Sequence, residues 1–539
     1  METFARVLLD RADDGGTGLL FEDERHTWAD VVRQSRRRAA LAWALLADGR
    51  PPHIGVLLDN VPEYLFWLGG AALSGSVIVG INPTRRGAEL AHDVRHTDCR
   101  LIVTDTAHAA LLDGLDTGVP PERVLRVDAP RYADLIERAG PPPMAEPDAR
   151  DPLLLLFTSG STGAPKAVVC GQGRLAAIAR QAHAFGITAR SVTYAAMPMF
   201  HGNSVMANVA MATGAGAAIA MRRRFSASGF LPDVRRFGVT YFNYVGRALA
   251  YILATPGHDE DADNPLEVAF GTEASARDMT RFAERFGCRL IESYGSSEGA
   301  ISIRRTPDSP RDALGLPPDG ADVAVADPAT GRECPRARFG PDGELINPDE
   351  AIGEIVARGV EFEGYYRNPA ADAERLRGGV YWSGDLGYRD ADGFFYFAGR
   401  GGDRLRVDGE NFAAAPVERI LSRWPPVVMC AVYPVPDPRT GDQVMAALEL
   451  DAPFAPEAFA EFLAAQPDLG TKWAPRFVRV VPSMPLTATN KVDKRPLRRD
   501  AWRGGDVWWR PGRDLRYEPL TDDARRSLEE EAAAHGRRL

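Results

Sequence analysis

The sequence is almost empty of lysine: Lys166, Lys472, Lys491 and Lys494 are the only four among 64 basic residues. Arginine carries the rest, so a retained lysine marks a place where a compact ammonium is wanted in preference to a planar guanidinium. Positive charge is not in excess either. A net charge of −10 over 539 residues excludes the broadly basic surface that nonspecific nucleic-acid binding requires. Cysteine is scarce and scattered. Cys99, Cys170, Cys288, Cys334 and Cys430 include no C-x-x-C pair, which argues against a disulfide framework and fits a reducing cytosol. Met1 to Asp10 carries charges of both signs and lacks the apolar core of a signal peptide, so a cytoplasmic location is expected. Long apolar runs are missing as well. Leu65–Ile81 and Ser204–Met221 are uncharged, but Gly, Ser, Thr or Asn interrupts both, and they read as buried helix–strand units with no membrane span. Peripheral contact with a membrane is left open. No internal repeat is visible.

What is present is an alternation of β-branched runs with helix-like segments over the first ~400 residues. Ile54–Leu58, Val77–Val79 and Leu101–Thr104 read as strands. Helices are expected through Trp67–Ala72 and after Arg85. Such alternation predicts an α/β class with layered, largely parallel sheets. Pro141–Pro147 is a loop that feeds the apolar strand Leu153–Phe157. From Gly343 to Phe397, short strands and Gly or Asp-Gly turns predict a β-rich subdomain. Beyond Gly401-Gly402 a smaller α+β unit is expected, with a helix at Pro416–Arg423, a strand at Val427–Val432, a helix at Pro456–Gln466 and a strand at Phe477–Val481. After Trp509 the composition turns charged and reads as a solvated tail or terminal helix, with 504–539 taken as the charged tail.

The strongest chemical signal runs from Phe157 to Lys166, F-T-S-G-S-T-G-A-P-K, directly after that apolar strand. Gly160 and Gly163 let the backbone approach an anion. The hydroxyls of Thr158, Ser159, Ser161 and Thr162 donate to phosphate oxygens, and Lys166 adds a point charge. The pattern G-x-x-x-x-G-K-[ST] does not fit, so this is not a Walker A loop.

The segment resembles the phosphate-binding loop of the adenylate-forming superfamily of acyl-CoA synthetases, luciferases and peptide-synthetase adenylation domains. Further motifs in the expected order carry the resemblance across roughly residues 25 to 500. Met197-Pro-Met-Phe-His-Gly-Asn203 is similar to the family's P-x-F-H motif, which implies that His201 lies near the acid-binding site. Gly271-Thr272-Glu273-Ala274 sits where relatives place a loop that packs on adenine. Glu292-Ser-Tyr-Gly-Ser-Ser-Glu-Gly299 resembles Y-G-x-T-E, with Ser297 in place of threonine. The likeness implies that Tyr294 and Gly295 border the adenine and that Glu298, with Thr162, holds Mg²⁺. Tyr381-Trp-Ser-Gly-Asp-Leu386 matches T/S-G-D-L, implying a ribose contact for Asp385 and, fifteen residues on, for Arg400. Pro485–Lys494 resembles P-x-T-x-x-G-K, with Asn490 in place of glycine and Lys491 on the adenylation lysine. Arg404–Asn411, including Gly409 and Glu410, falls on the stretch that lines the pantetheine tunnel, and its G-E-N pattern looks closest to fatty acid transport protein-type synthetases.

The resemblance implies an enzyme with ATP, Mg²⁺ and coenzyme A as cofactors and a hydrophobic carboxylic acid as substrate. Its catalytic set would be Lys491, His201 and Glu298. Residues 1–401 would form the adenylation core, and 402–539 a mobile C-terminal domain that rotates between half-reactions. The hinge position is usually Asp or Lys; here it is Gly402. Tyr241–Gly246 contains no acidic residue to pair with an α-amine, which disfavours an amino-acid substrate. An acyl-AMP ligase that loads a separate carrier protein is the alternative, and a non-catalytic binding protein of the same fold the lesser one.

Overall fold

The computed structural model describes residues 2–535 except 142–145, 159–165, 273, 275, 311, 342, 344, 401–403, 408–409, 439–441, 471, 488–490 and 513. Two α/β sheets build the large part of the chain. In the first, His53–Leu57, Val77–Gly80 and Leu101–Thr104 are buried along their whole length and run parallel. Burial on both faces is why they read as unbroken apolar runs. Pro152–Thr158 continues this sheet in parallel, and Lys166–Gly171 closes it as an antiparallel edge. Helix Pro62–Ser74 connects two of these strands, entering on a proline and leaving at Gly75 with φ 69°. It crosses helix Trp28–Leu46 so closely that a Cβ on Gly69 would lie 2.2 Å from Ser35 Oγ.

The second sheet has eight strands. Thr17–Phe21, Ala218–Met221, Val192–Ala195, Tyr241–Val245, Val268–Thr272 and Arg289–Gly295 lie side by side in parallel, with Glu24–Thr27 and Ser302–Arg304 as antiparallel edges. Because the inner strands are parallel, the turns that follow Ala195, Val245, Thr272 and Gly295 all emerge at one edge, where open α/β sheets place their ligands.

The expected β-rich subdomain is an antiparallel sheet of Asp322–Ala326, Gly353–Arg358, Leu376–Arg377, Val380–Arg389 and Phe395–Arg400. It begins earlier than the composition indicated, because Asp322–Ala326 pairs with Gly353–Arg358 across a long connection. The C-terminal unit contains the hairpin Arg404–Val407 and Glu410–Ala413, helix Ala414–Leu421 and a five-stranded sheet opened by Val427–Pro436 and Asp442–Leu450. Its Met429 and Ala431 pack against Ala250 of helix Gly246–Leu253. Arg277 of helix Ala276–Phe286 donates to the carbonyls of Ser422, Trp424 and Pro425 at 3.2, 3.0 and 2.9 Å.

The residues after 504 are a terminal helix and more, and the solvated-tail reading is corrected. Asp506–Trp509 and Glu518–Pro519 extend the five-stranded sheet, and helix Asp522–Ala534 buries Leu528 and Ala532 one turn apart. The charges occupy the outer faces, so composition alone concealed an amphipathic pattern. Among the described residues, no helix is long and apolar enough to cross a membrane.

Candidate active site

The strand Pro152–Thr158 and its antiparallel partner Lys166–Gly171 bring Thr158 opposite Lys166. Thr158 Oγ1 donates to the Lys166 carbonyl at 3.5 Å. Ser159, Gly160, Ser161, Thr162 and Gly163 lie outside the described residues. Lys166 is only 6% exposed. Its Nζ sits 3.0 Å from Glu374 Oε2 and 5.3 Å from the centroid of the Tyr365 ring.

Tyr365 ties this lysine to the Glu298 motif. Its hydroxyl donates to Glu298 Oε1 at 2.7 Å and accepts from Arg375 Nε at 3.2 Å. Burial and the Glu298 carboxylate push the Tyr365 hydroxyl far above its ordinary range, so it stays a donor at neutral pH. Glu374 and Arg375 share helix Pro369–Arg375, so one short helix steadies both the lysine and the carboxylate.

A second pair forms beside the first. Tyr294 OH donates to Asp385 Oδ2 at 2.8 Å, and burial together with Asp385 keeps that phenol protonated. Asp385 stands opposite Arg400 in strand register, so the spacing between the two motifs is the span of a β-hairpin. Within the strand Val380–Arg389, Gly384 adopts φ 75° where the register with Gly353–Arg358 is irregular, and it donates its N–H to Glu354 Oε1 at 2.5 Å.

Gly271 and Thr272 end their strand next to Tyr244 and Val245. A Cβ on Gly271 would lie 2.4 Å from the Tyr244 carbonyl, so only glycine fits there. Tyr244 OH donates to Glu292 Oε2 at 2.6 Å, while Glu292 Oε1 accepts the Ala274 N–H at 2.9 Å. Glu292 thus locks the Gly271–Ala274 turn to the strand that carries Tyr294 and Gly295. Glu273 is outside the described residues. The Ser297 carbonyl accepts from Arg174 Nη2 at 2.6 Å.

His201 is half-buried and opens the helical turn Gly202–Ser204, its Nδ1 accepting the Asn203 N–H at 3.4 Å. A Cβ on Gly202 would be 3.4 Å from Ser297 Oγ and from Leu156 Cδ1, so this turn abuts both the Glu298 segment and the phosphate-loop strand. Lys491 belongs to another loop, in the C-terminal unit. The bridge between Leu486 and Val492 pinches it, Thr487 N–H donates to the Lys491 carbonyl at 2.7 Å, and Lys491 N–H donates to Thr487 Oγ1 at 3.2 Å. Lys494 Nζ anchors the loop to Glu418 Oε1 at 2.9 Å. Gly402, Gly409 and Asn490 are outside the described residues; Glu410 is placed by its backbone, opposite Val407.

Among the described residues no group of three or more His, Cys, Asp or Glu side chains forms a protein cage for a metal. A single carboxylate, Glu298, joined through Tyr365 to the buried Lys166, fits Mg²⁺, which keeps waters and is commonly held by one or two carboxylates plus phosphates.

Tyr365, Glu374, Arg375 and Arg174 are absent from the motif reading, and Glu292 was visible within a motif without a role. The only signal for Glu292 was its place two residues before Tyr294, on the same face of a strand.

The site residues gather at one edge of an α/β core that carries a smaller C-terminal unit, and the family model matches give the class. Residues 11–366 match the AMP-binding enzyme family and residues 416–491 the AMP-binding enzyme C-terminal domain. The chain belongs to the AMP-binding enzyme family. It is 53% identical over 545 residues to the steroid-22-oyl-CoA synthetase of Rhodococcus jostii, covering 99% of this chain and 98% of that protein. It is 44% identical over 513 residues to the medium/long-chain-fatty-acid–CoA ligase FadD17 of Mycobacterium tuberculosis, covering 94% and 98%. The fold matches that of the anthranilate CoA ligase AuaEII in complex with anthranoyl-AMP, with a TM-score of 0.81 at 21% identity over 93% of this chain and 97% of that one.

Proposed function

We propose that this AMP-forming acid–thiol ligase activates a bulky, polycyclic hydrophobic carboxylic acid of the steroid type and passes it to coenzyme A. ATP-dependent ligation of a hydrophobic acid to CoA follows from the family and its near relatives. The steroid class is the finer reading, supported by the 53% identity along virtually the whole length to a steroid-22-oyl-CoA synthetase. A medium- or long-chain fatty acid is the second reading, favoured by the 44% identity to FadD17.

In the first half-reaction a carboxylate oxygen attacks the α-phosphorus of ATP. The new O–P bond forms as the bond to pyrophosphate breaks. Carboxylate and triphosphate repel, so the chain's contribution is positive charge and positioning. Lys166, seated on the Tyr365 ring, supplies a desolvated ammonium beside the phosphate loop. Lys491 supplies the second. Asp385 takes the ribose hydroxyls, and Tyr294 and the Gly271–Thr272 turn border the adenine. Glu298, held by Tyr365, would bind Mg²⁺ jointly with Thr162, and the bound ion offsets phosphate charge. His201 faces the acid.

In the second half-reaction the CoA sulfur attacks the acyl carbonyl, AMP leaves, and the thiol proton goes to solvent. Lys491 and the thiol need the same space. Residues 402–539 therefore rotate as one body on the 1–401 core, bringing Gly409 and Glu410 towards the pantetheine. The discriminating experiment is competition between a steroid carboxylic acid and C8–C18 fatty acids for acyl-CoA formation. A kcat/KM at least tenfold higher for the steroid acid supports the steroid class. Preference for a fatty acid overturns it and leaves the ligase assignment standing.

A further inference from the structure

A buried row of carboxamides runs beneath His201. Thr193 and Asn243 lie on adjacent strands of the eight-stranded sheet, facing the helical segment that starts at Gly202. Thr193 Oγ1 donates to Asn208 Oδ1 at 2.9 Å. Asn208 Nδ2 donates to Asn243 Oδ1 at 2.7 Å, and Asn243 Nδ2 donates to Asn203 Oδ1 at 2.7 Å. The Asn203 backbone N–H then donates to His201 Nδ1. Thr193, Asn208 and Asn243 are all 0% exposed.

The helix is deformed to admit this row. Val205–Ala210 is wound as a π-helical turn, which displaces backbone carbonyls from their usual partners. The Tyr241 hydroxyl donates to one of them, Ala207 O, at 2.9 Å. Leucine or valine would fill the same space without needing a partner. Three buried polar side chains in series carry a desolvation cost that only a fully connected network offsets. A network of that kind fixes the positions of its members, since displacing one of them alone leaves a buried group unpaired.

The row also has a direction. Thr193, Asn208 and Asn243 each donate one step towards Asn203, whose side chain accepts and is held in place, and it is the Asn203 backbone N–H that is aimed at Nδ1. A proton on Nδ1 would meet that N–H donor against donor. Nδ1 is therefore the acceptor, and in the neutral ring Nε2 carries the hydrogen.

We propose that Thr193, Asn208, Asn243 and Asn203 are positioning residues that hold His201 as the Nε2–H tautomer, so that it presents a hydrogen-bond donor to the carboxylic acid. This rests on the ligase reading for the identity of the acid, though not for the tautomer. The donor orients the carboxylate for attack on phosphorus, and the same N–H suits the carbonyl oxygen of the acyl-adenylate once the anhydride has formed.

The test is ¹⁵N NMR of the full chain labelled at histidine, at neutral pH, with His201 assigned by its disappearance in His201→Gln. The expected ring has an unprotonated Nδ1 and a protonated Nε2. In Asn243→Leu, which keeps the shape and removes the amide, Asn203 loses its anchor, its N–H no longer stays on Nδ1, and the ring samples both tautomers. Acyl-adenylate formation there falls about tenfold to a hundredfold, as when an orienting partner is removed elsewhere, with KM for ATP unchanged. If that variant does not fold, Thr193→Val breaks the row at its far end with a near-isosteric change, and a smaller shift in the same direction is expected. A wild-type ring with Nδ1 protonated overturns the proposal, whatever the enzyme's substrate. So does an unaltered tautomer with unaltered kinetics in the folded variants. Absence of any acid-dependent activity in the wild type would instead sink the ligase reading, with the tautomer still read from the spectrum.

Discussion

Removing a single oxygen at Tyr365 should disable much of the first half-reaction. In Tyr365→Phe the ring under Lys166 stays, so the ammonium keeps its aromatic seat. What disappears is the donor to Glu298 Oε1 and the acceptor for Arg375 Nε. Glu298 is 8% exposed, so water has little access to replace the lost bond. Hydrogen bonds to charged groups contribute about 1.5–3 kcal/mol. If the carboxylate must hold its place for Mg²⁺ to reach the phosphates, that loss sets the ceiling on the effect. It corresponds to roughly a tenfold to 150-fold fall in kcat/KM for adenylate formation. The assay is ATP–pyrophosphate exchange with saturating acid, titrated with Mg²⁺. Excess Mg²⁺ should recover part of the rate, because the defect lies in holding the ion. Thioester formation from supplied acyl-AMP should change by less than about twofold, since no bond to phosphorus forms in that step. A variant within twofold of wild type in exchange, at limiting Mg²⁺, would show that Tyr365 does not hold Glu298 for the ion.

Lys491→Ala should abolish adenylate formation and spare thioester formation from acyl-AMP; equal loss in both would contradict domain alternation. Asp385→Ala should weaken ATP binding through loss of the ribose contact, and an unchanged ATP affinity by calorimetry would remove that role. Thr27→Ala deletes one arm of the capping box that Thr27 and Asp30 form at the start of helix Trp28–Leu46. It should cost about 1 kcal/mol, read as a lowered thermal midpoint with kcat unchanged. Burial pushes the thiols of Cys99, Cys170 and Cys288 up to about 12, so below that pH they stay protonated and shielded. At pH 8 a thiol reagent should titrate the half-exposed Cys334 first and all five cysteines only in denaturant.

The layered α/β core was legible because fully buried parallel strands leave continuous β-branched runs, as at His53–Leu57 and Leu101–Thr104. The hairpin that sets Asp385 against Arg400 could be anticipated from motif spacing. Tyr365, Glu374 and Arg375 could not. They reach Lys166 and Glu298 through tertiary packing of a short helix, Pro369–Arg375, and of Tyr365 just before it, and nothing periodic marks them. The carboxamide row was hidden for a related reason. Asn203, Asn208 and Asn243 each look like an ordinary polar interruption, and only the π-helical turn and strand adjacency bring them into line. The C-terminal residues misled through charge density, since apolar positions such as Val507, Leu520 and Leu528 are widely spaced in sequence yet share one buried cluster.

Coupling of ATP cleavage to thioester formation is read by mass spectrometry of the products from acid, ATP and CoA in all combinations. Acyl-CoA, AMP and pyrophosphate are expected only when all three are present, and acyl-AMP when CoA alone is withheld. Acyl-AMP that accumulates and is left untouched by CoA would contradict that coupling and point to a carrier protein as the acceptor.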